Sequence, residues 1–354
     1  MSGDDTLSAD NYVRSRRRRL IVIAVILVIS MLIALRSVSV SSFRITFEEA
    51  MDVIIRNLKG EGLGNIEDTI IFKWALPRAI AGLIIGAILG ISGAVMQYCV
   101  RNPLADPYTT GISSAALFGV TIHLALGISI IPMLIGQSAT IVNAFLFSMI
   151  PCIVMVIISV RKKTTPTLLI LIGIAVMYMF SALTMIIKYN AEPEILNQIL
   201  EWSVGSLGRI RWDSIIPLSL ALLFLLIFMM YFSRKLDVIS SGENMSTSLG
   251  VNPTRTRLIC MVVISACTSI AVAFSGSIGF VGLIIPHISR LLVGSKSNML
   301  IPCSAVLGAL LLVCSDTVSR MFGAELPVGA ITALIGSPIF LYFLFKIRTN
   351  GWGK

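Results

Sequence analysis

The chain has 354 residues, of which 56% are hydrophobic and only 13% charged, and its mean hydropathy is +0.92. A soluble chain carries about 25% charged residues, so this balance excludes a soluble globular protein and points to lipid as the solvent. Six cysteines form no CxxC pair and only two histidines are present, which argues against a zinc site and for thiols behaving as small hydrophobes.

The net charge of +10 has a definite address. Arg16 to Arg19 stand immediately before the first apolar stretch, Leu20 to Leu35. A nucleic-acid patch there would have to work against the membrane anchor beside it. A positive-inside signal needs nothing more. No small-residue cleavage site follows promptly, so the segment reads as an anchor rather than a cleaved signal peptide.

Windows of about twenty apolar residues predict ten spans. They fall at 20–40, 78–98, 109–128, 139–160, 167–188, 214–233, 255–274, 278–294, 299–320 and 328–346. With the N-terminus inside, eighteen of the 28 Lys and Arg residues lie on the inner side, and moving one span would scramble that agreement. No linker divides the chain, so one ten-span domain over 20–346 is expected. A basic tail (1–19), a polar loop (234–254) and a second tail (347–354) then all lie in the cytoplasm. In the second span Gly82, Gly86, Gly90 and Ala94 recur every four residues, a stripe that lets transmembrane backbones approach closely.

Chemistry is scarce. Ion-coupled carriers usually keep ionisable residues within the bilayer, and only Asp316, His123 and His287 are candidates here. No GxxxxGK[ST] phosphate loop is present, so the chain does not hydrolyse ATP itself. It conducts passively or borrows power from another subunit. "FSGSIG" (Phe274–Gly279) places Ser277 between glycines with His287 further on, the bare outline of an intramembrane hydrolase, but small residues there are ordinary packing.

Three polar or broken stretches are more informative. "GSIGFVGLIIPHISRLLVG" (Gly276–Gly294) sets Gly279, Gly282, Pro286 and His287 in one apolar segment. Proline removes a backbone donor, and irregular backbone at membrane depth is tolerated only against protein or a wet cavity, so a broken pathway helix is expected. In "CVRNPLADPYTTG" (Cys99–Gly111), Asn102–Pro103 and Asp106–Pro107 pin a stiff turn between the second and third spans. The long polar loop from Ser233 to Arg257 contains "SSGENMSTSLG", which reads as a short helix. Ser240 or Ser241 would cap it, Glu243 would complement its dipole and Gly250 would end it, with Met245 and Leu249 sharing one face.

These stretches resemble a known family. "LPRAIAGLIIGAILGISGAVMQ", "RNPLADP", "SLGVNPTRTR", "GFVGLIIPHISRLLVG" and "ELPVGAITALIGSPIFLY" are together similar to the FecCD/BtuC-type permeases, the membrane subunits of ABC importers for iron–siderophores, haem and cobalamin. The resemblance runs in order from about Ile71 to Phe345. It implies an all-α polytopic protein of type II ABC importer architecture, with ten helices per subunit and no cofactor. It also implies a second permease subunit, homodimeric or closely related, two cytoplasmic ATPase subunits and an extracytoplasmic substrate-binding protein. A cytoplasmic gate carries over onto Asn102 and Leu104, and a second onto Thr165 and Thr167, where Pro166 interrupts the family pattern. Arg78 and Arg320 match arginines that dock the binding protein. Relatives often read "RLPR" where this chain has Ala75, so one docking contact is either lost or supplied by nearby Lys73. Glu243, Met245, Leu249 and Gly250 fall where the ATPase contact lies. The expected cargo is a ferric siderophore, with haem or cobalamin as the alternative, and an ion-coupled secondary carrier is the reading outside the family.

Overall fold

The computed structural model describes residues 4–40, 45–161, 165–321 and 326–349. Its regular structure, among those residues, is helical throughout. The first helix, α1 (Asp4–Ser37), begins well before Leu20, so the basic tail expected over 1–19 continues the first span as helix from Asp4. The amphipathic α2 (Phe47–Leu58) follows, then the single turn α3 (Ile66–Asp68), a π-helical stretch (Thr69–Ala75) and α4 (Leu76–Val100). The π stretch has a local cause. Pro77 has no N–H for the Lys73 carbonyl and its ring would crowd that turn, so the backbone widens ahead of it. A carbonyl on the widened turn, that of Phe72, accepts the Trp212 indole N–H at 2.7 Å.

A 3₁₀ turn (Pro107–Thr110) leads into α5 (Ile112–Leu126), and α6 (Gln137–Arg161), α7 (Pro166–Tyr189), α8 (Pro193–Ser203) and α9 (Trp212–Ser240) come next. The chain closes with α10 (Glu243–Ser248), α11 (Pro253–Ser275), α12 (Val281–Val293), α13 (Ser297–Met321) and α14 (Val328–Thr349). Among the described residues seven helical segments are long and apolar enough to cross a membrane, and three shorter apolar helices stand at the third, eighth and tenth predicted spans. The shortfall in α5 and α12 is made up by the 3₁₀ turn before one and the irregular stretch 276–280 before the other. The chain is a multi-pass, all-α membrane protein.

Burial ranks the helices. The Ile66–Val100 segment is 89% buried over its apolar window, against 22% for α1 and α7, so α4 is the hub and the others wrap it. Its glycine stripe is why. A Cβ on Gly86 would lie 2.3 Å from the Gly308 carbonyl of α13, and one on Gly90 would lie 2.1 Å from that of Ser304. No side chain fits either position. The packing expected of the stripe is what the structure has.

The ends of the bundle are distinguished by contacts. Tyr98 donates to the Ser295 carbonyl, and Asp237 accepts from the Ser297 N–H at 2.8 Å. The 101–111 turn and the 241–252 loop therefore share one end, called here the turn end. At the far end Asp68 ties α2 to α3, accepting from Asn57 at 3.1 Å and Gly64 N–H at 2.7 Å.

Candidate functional site

At the turn end, α4 stops because Arg101 takes the left-handed conformation (φ 50°). Asn102 Oδ1 then accepts from the Leu104 N–H at 2.9 Å, and Asp106 Oδ1 from the Tyr108 N–H at 2.8 Å. With Pro103 and Pro107 in the same seven residues, both polar side chains are spent on the turn's own backbone, and Leu104 is left exposed. Asp106 is itself buried. It lies against α12, where a Cβ on Gly282 would sit 3.0 Å from Asp106 Oδ2. Gly282 is small because a carboxyl occupies the space beside it.

Burial pushes the Asp106 carboxyl up to about 6, partly offset by the Tyr108 N–H. The folded protein therefore holds this proton more tightly than the unfolded chain. Stability should fall as pH rises from about 4 to 6 and level off above that. Asp106→Asn keeps the acceptor for Tyr108 and should flatten this slope. Thermal unfolding of the detergent-purified protein across that range measures it, and an unchanged slope in the variant would refute the assignment.

The next contact joins the turn to the broken stretch. The Tyr108 hydroxyl accepts from the Ile278 N–H at 3.2 Å, and Ser113 and Ser277 hydroxyls pair at 2.8 Å. The chain leaves α11 at Gly276 (φ +72°), where a Cβ would lie 2.3 Å from the Trp202 carbonyl, and re-enters helix at Val281. The break thus lies ahead of α12, whereas the sequence pattern had weighted Pro286. Pro286 sits inside a continuous helix, because its missing N–H costs one bond to Gly282 near the helix start. Gly279 gives its carbonyl to Thr332 at 3.1 Å, and His287 Nδ1 lies 3.2 Å from the Leu283 carbonyl. Ser277 is paired with a serine rather than with His287, so the hydrolase outline has no nucleophile–base contact here.

Thr165 caps α7, accepting from the Leu168 N–H at 3.3 Å, and Pro166 occupies the first helical position where proline is favoured. Thr165 and Thr167 are exposed. No hydrogen bond joins them to Asn102 or Leu104 among the described residues.

The polar loop folds differently from its expected caps. α9 runs on to Ser240, and the Ser240 and Ser241 hydroxyls bond back to the Asp237 carbonyl instead of capping α10. Gly242 takes the cap position without a side-chain bond. Glu243 does more than complement a dipole: its carboxylate meets Arg257 at 2.7 Å. Arg257 is among the largest fully buried side chains, and the pair straps α10 to α11. Ser246 adds a bond to the Val238 carbonyl at 3.0 Å. Gly250 (φ +75°) turns the chain out of the helix and Asn252 caps α11 through the Arg255 N–H. Met245 and Leu249 are left 56% and 60% exposed.

At the far end Asp316 lies between two guanidiniums, 2.8 Å from Arg78 Nε and 3.0 Å from Arg320 Nη2. Arg320 also donates to the Val40 carbonyl at 2.8 Å. Both arginines, expected as docking groups, are only 7% and 8% exposed, while Lys73 on the π stretch is exposed. Asp316 is a counter-ion for two fixed cations, which removes the strongest candidate for an intramembrane proton or sodium site.

A glycine-packed hub, a stiff turn locked onto a broken helix and a short helix strapped to the turn end of the bundle are the architecture of a membrane permease of type II ABC importer form. Residues 21–346 match the FecCD transport family. The chain belongs to that family, whose members are permease subunits of ABC transporters and not enzymes themselves. It is 37% identical over 284 residues to the cobalamin import system permease protein BtuC of Halobacterium salinarum, covering 80% of this chain and 75% of that one. It is 36% identical over 290 residues to the iron(3+)-hydroxamate import system permease protein FhuB of Bacillus subtilis, covering 79% and 72%. A solved inward-facing metal-chelate type ABC transporter superposes with a TM-score of 0.79 at 30% identity, over 93% of this chain and 99% of that one. Such permeases act with ATPase and substrate-binding partners.

Proposed function

We propose that the chain carries ferric siderophore inward across the cytoplasmic membrane, as one of two permease subunits driven by two cytoplasmic ATPase subunits and fed by an extracytoplasmic binding protein. The observation that carries this reading is α10, a six-residue helix too short to stand alone in water, strapped by a buried arginine and presenting Met245 and Leu249 outward. Such a face exists to be covered. The turn end is cytoplasmic, since Arg101, Arg234, Lys235, Arg255, Arg257 and Arg290 gather there. The hydroxamate permease supports an iron chelate as cargo, and the cobalamin permease supports the second reading.

Proteoliposomes holding the permease, its ATPase and its binding protein should accumulate ferric hydroxamate only with ATP. Uptake driven by an ion gradient without the ATPase would overturn the importer reading, and uptake of cobalamin or haem alone would overturn the cargo.

Asn102 and Leu104 form the inner gate in this reading, meeting their symmetry mates across the subunit axis, with Thr165 and Thr167 beside them. The turn is stiff, so it moves with α4 and α12, to which Asp106 and Gly282 hold it. Leu104→Cys should crosslink to its mate in one nucleotide state and not in another. Crosslinking that ignores ATP would make the turn a plain connector.

A further inference from the structure

Beside the short helix α10, and sharing Gly250 with the proposed ATPase contact, lies a cavity of about 400 Å³. Phe232, Lys235, Asn252, Arg255, Thr256 and Ile259 line it, between the end of α9 and the start of α11. Lys235 Nζ stands 4.8 Å from the Phe232 ring centroid. Neither Lys235 nor Arg255 makes an ion pair among the described residues, and the N-terminal end of α11 adds its positive dipole to the same rim. The cavity brings two cations together with the apolar side chains of Phe232, Val251 and Ile259.

The surface leading away from it decides what it holds. On α9, Leu220, Phe224, Ile227 and Tyr231 are exposed, spaced three and four apart, and Lys235 is the next residue on that face. On α11, exposed Val262 and half-buried Ile259 lie on the same side as Arg255. Two apolar tracks therefore run from bilayer depth to a pair of cations at the membrane surface. A soluble anion would use the cations and leave the tracks idle, and a protein partner would not follow them into the bilayer. We propose that this groove holds the phosphate headgroup of an anionic phospholipid, with acyl chains lying along α9 and α11. Because Gly250, Val251 and Asn252 also line it, the lipid steadies the loop that carries α10. The cytoplasmic placing of the turn end puts this lipid in the inner leaflet, and only that placing rests on the proposed function.

The test is a local reporter. Ile259→Trp in the full chain, reconstituted in vesicles of phosphatidylcholine and phosphatidylglycerol, should be quenched by brominated phosphatidylglycerol in strong preference to brominated phosphatidylcholine. Lys235→Gln with Arg255→Gln should weaken that preference by about 30-fold, while Lys235→Arg with Arg255→Lys should keep it. Absence of preference in the reporter chain, or its survival in the double glutamine variant, overturns the proposal. Erasure by millimolar inorganic phosphate would make this a soluble-anion site, and erasure by the ATPase subunit would make it part of that interface. Either overturns the lipid assignment. Lipid preference is read without transport, so its failure is distinct from failure of the importer reading.

Discussion

Substituting Met245 and Leu249 together by aspartate will release the ATPase subunit and abolish ATP-driven uptake while leaving the bundle inserted. Both side chains are more than half exposed in the isolated subunit, so aspartate there costs the free permease little. In a complex the same positions would be buried. Burial of a Leu or Met side chain contributes about 1.5–3 kcal/mol, and a carboxylate left without a partner at an interface adds its own desolvation cost. Together these weaken the contact by at least about a thousandfold. The strap matters to the reading of the experiment. Glu243 and Arg257 are untouched by the double substitution, so α10 stays in place and a lost contact reports the face itself. Co-purification of permease with ATPase, and uptake in the same membranes, are the measurements. Normal binding and transport by the double variant would end the coupling assignment.

Hydropathy made most of the bundle legible, because a span must satisfy its backbone internally and announces itself by length. The predicted spans at 139–160, 214–233 and 299–320 lie within α6, α9 and α13. The glycine stripe was legible too, since period four on one helix has few other meanings. What sequence left obscure was structure outside the bilayer core. α2 and α8 were not anticipated, because neither is long or apolar enough to register as a span. A signal for α2 was present: Thr46 and Glu49 form a capping box, with Thr46 accepting from the Glu49 N–H at 3.3 Å and Glu49 from the Thr46 N–H at 2.7 Å. The serine caps failed because α9 could extend two turns past the apolar stretch. Nothing local in the sequence announced Arg257 as a buried anchor, and the i,i+4 spacing of Asp316 and Arg320 pointed to one partner of Asp316 but not to Arg78. The Glu243–Arg257 and Arg78–Asp316 pairs join residues fourteen and more than two hundred positions apart, and only packing brings them together.

Neutralising Asp316 will distinguish a docking role for Arg78 and Arg320 from a purely structural one. In the proposed importer these arginines meet carboxylates on the binding protein, yet each is more than nine-tenths buried and already faces Asp316. A simple reversal of Arg78 to glutamate would confound the question. It sets two carboxylates against each other in a site with little water, and breaking a buried pair costs about 3–5 kcal/mol through the charge left behind. Asp316→Asn removes the acid instead, and because it also breaks the buried pairs, thermal unfolding is measured beside docking for every variant. Both cations remain, the local charge rises by one, and the asparagine still accepts a bond from Arg78. If the two arginines attract the binding protein, its affinity for the Asp316→Asn permease should hold or tighten. Arg78→Gln and Arg320→Gln should each weaken it about tenfold or more, since rim and interface charges act on association and on the lifetime of the complex. The effect of the arginine changes should fade at high salt, with Lys73 left to supply the remaining attraction. If the triad only braces α4 against α13, all three substitutions weaken folding alike, and whatever docking is lost follows the loss of fold. Equal losses from Asp316→Asn and Arg78→Gln, insensitive to salt, would therefore make the arginines struts rather than docking groups.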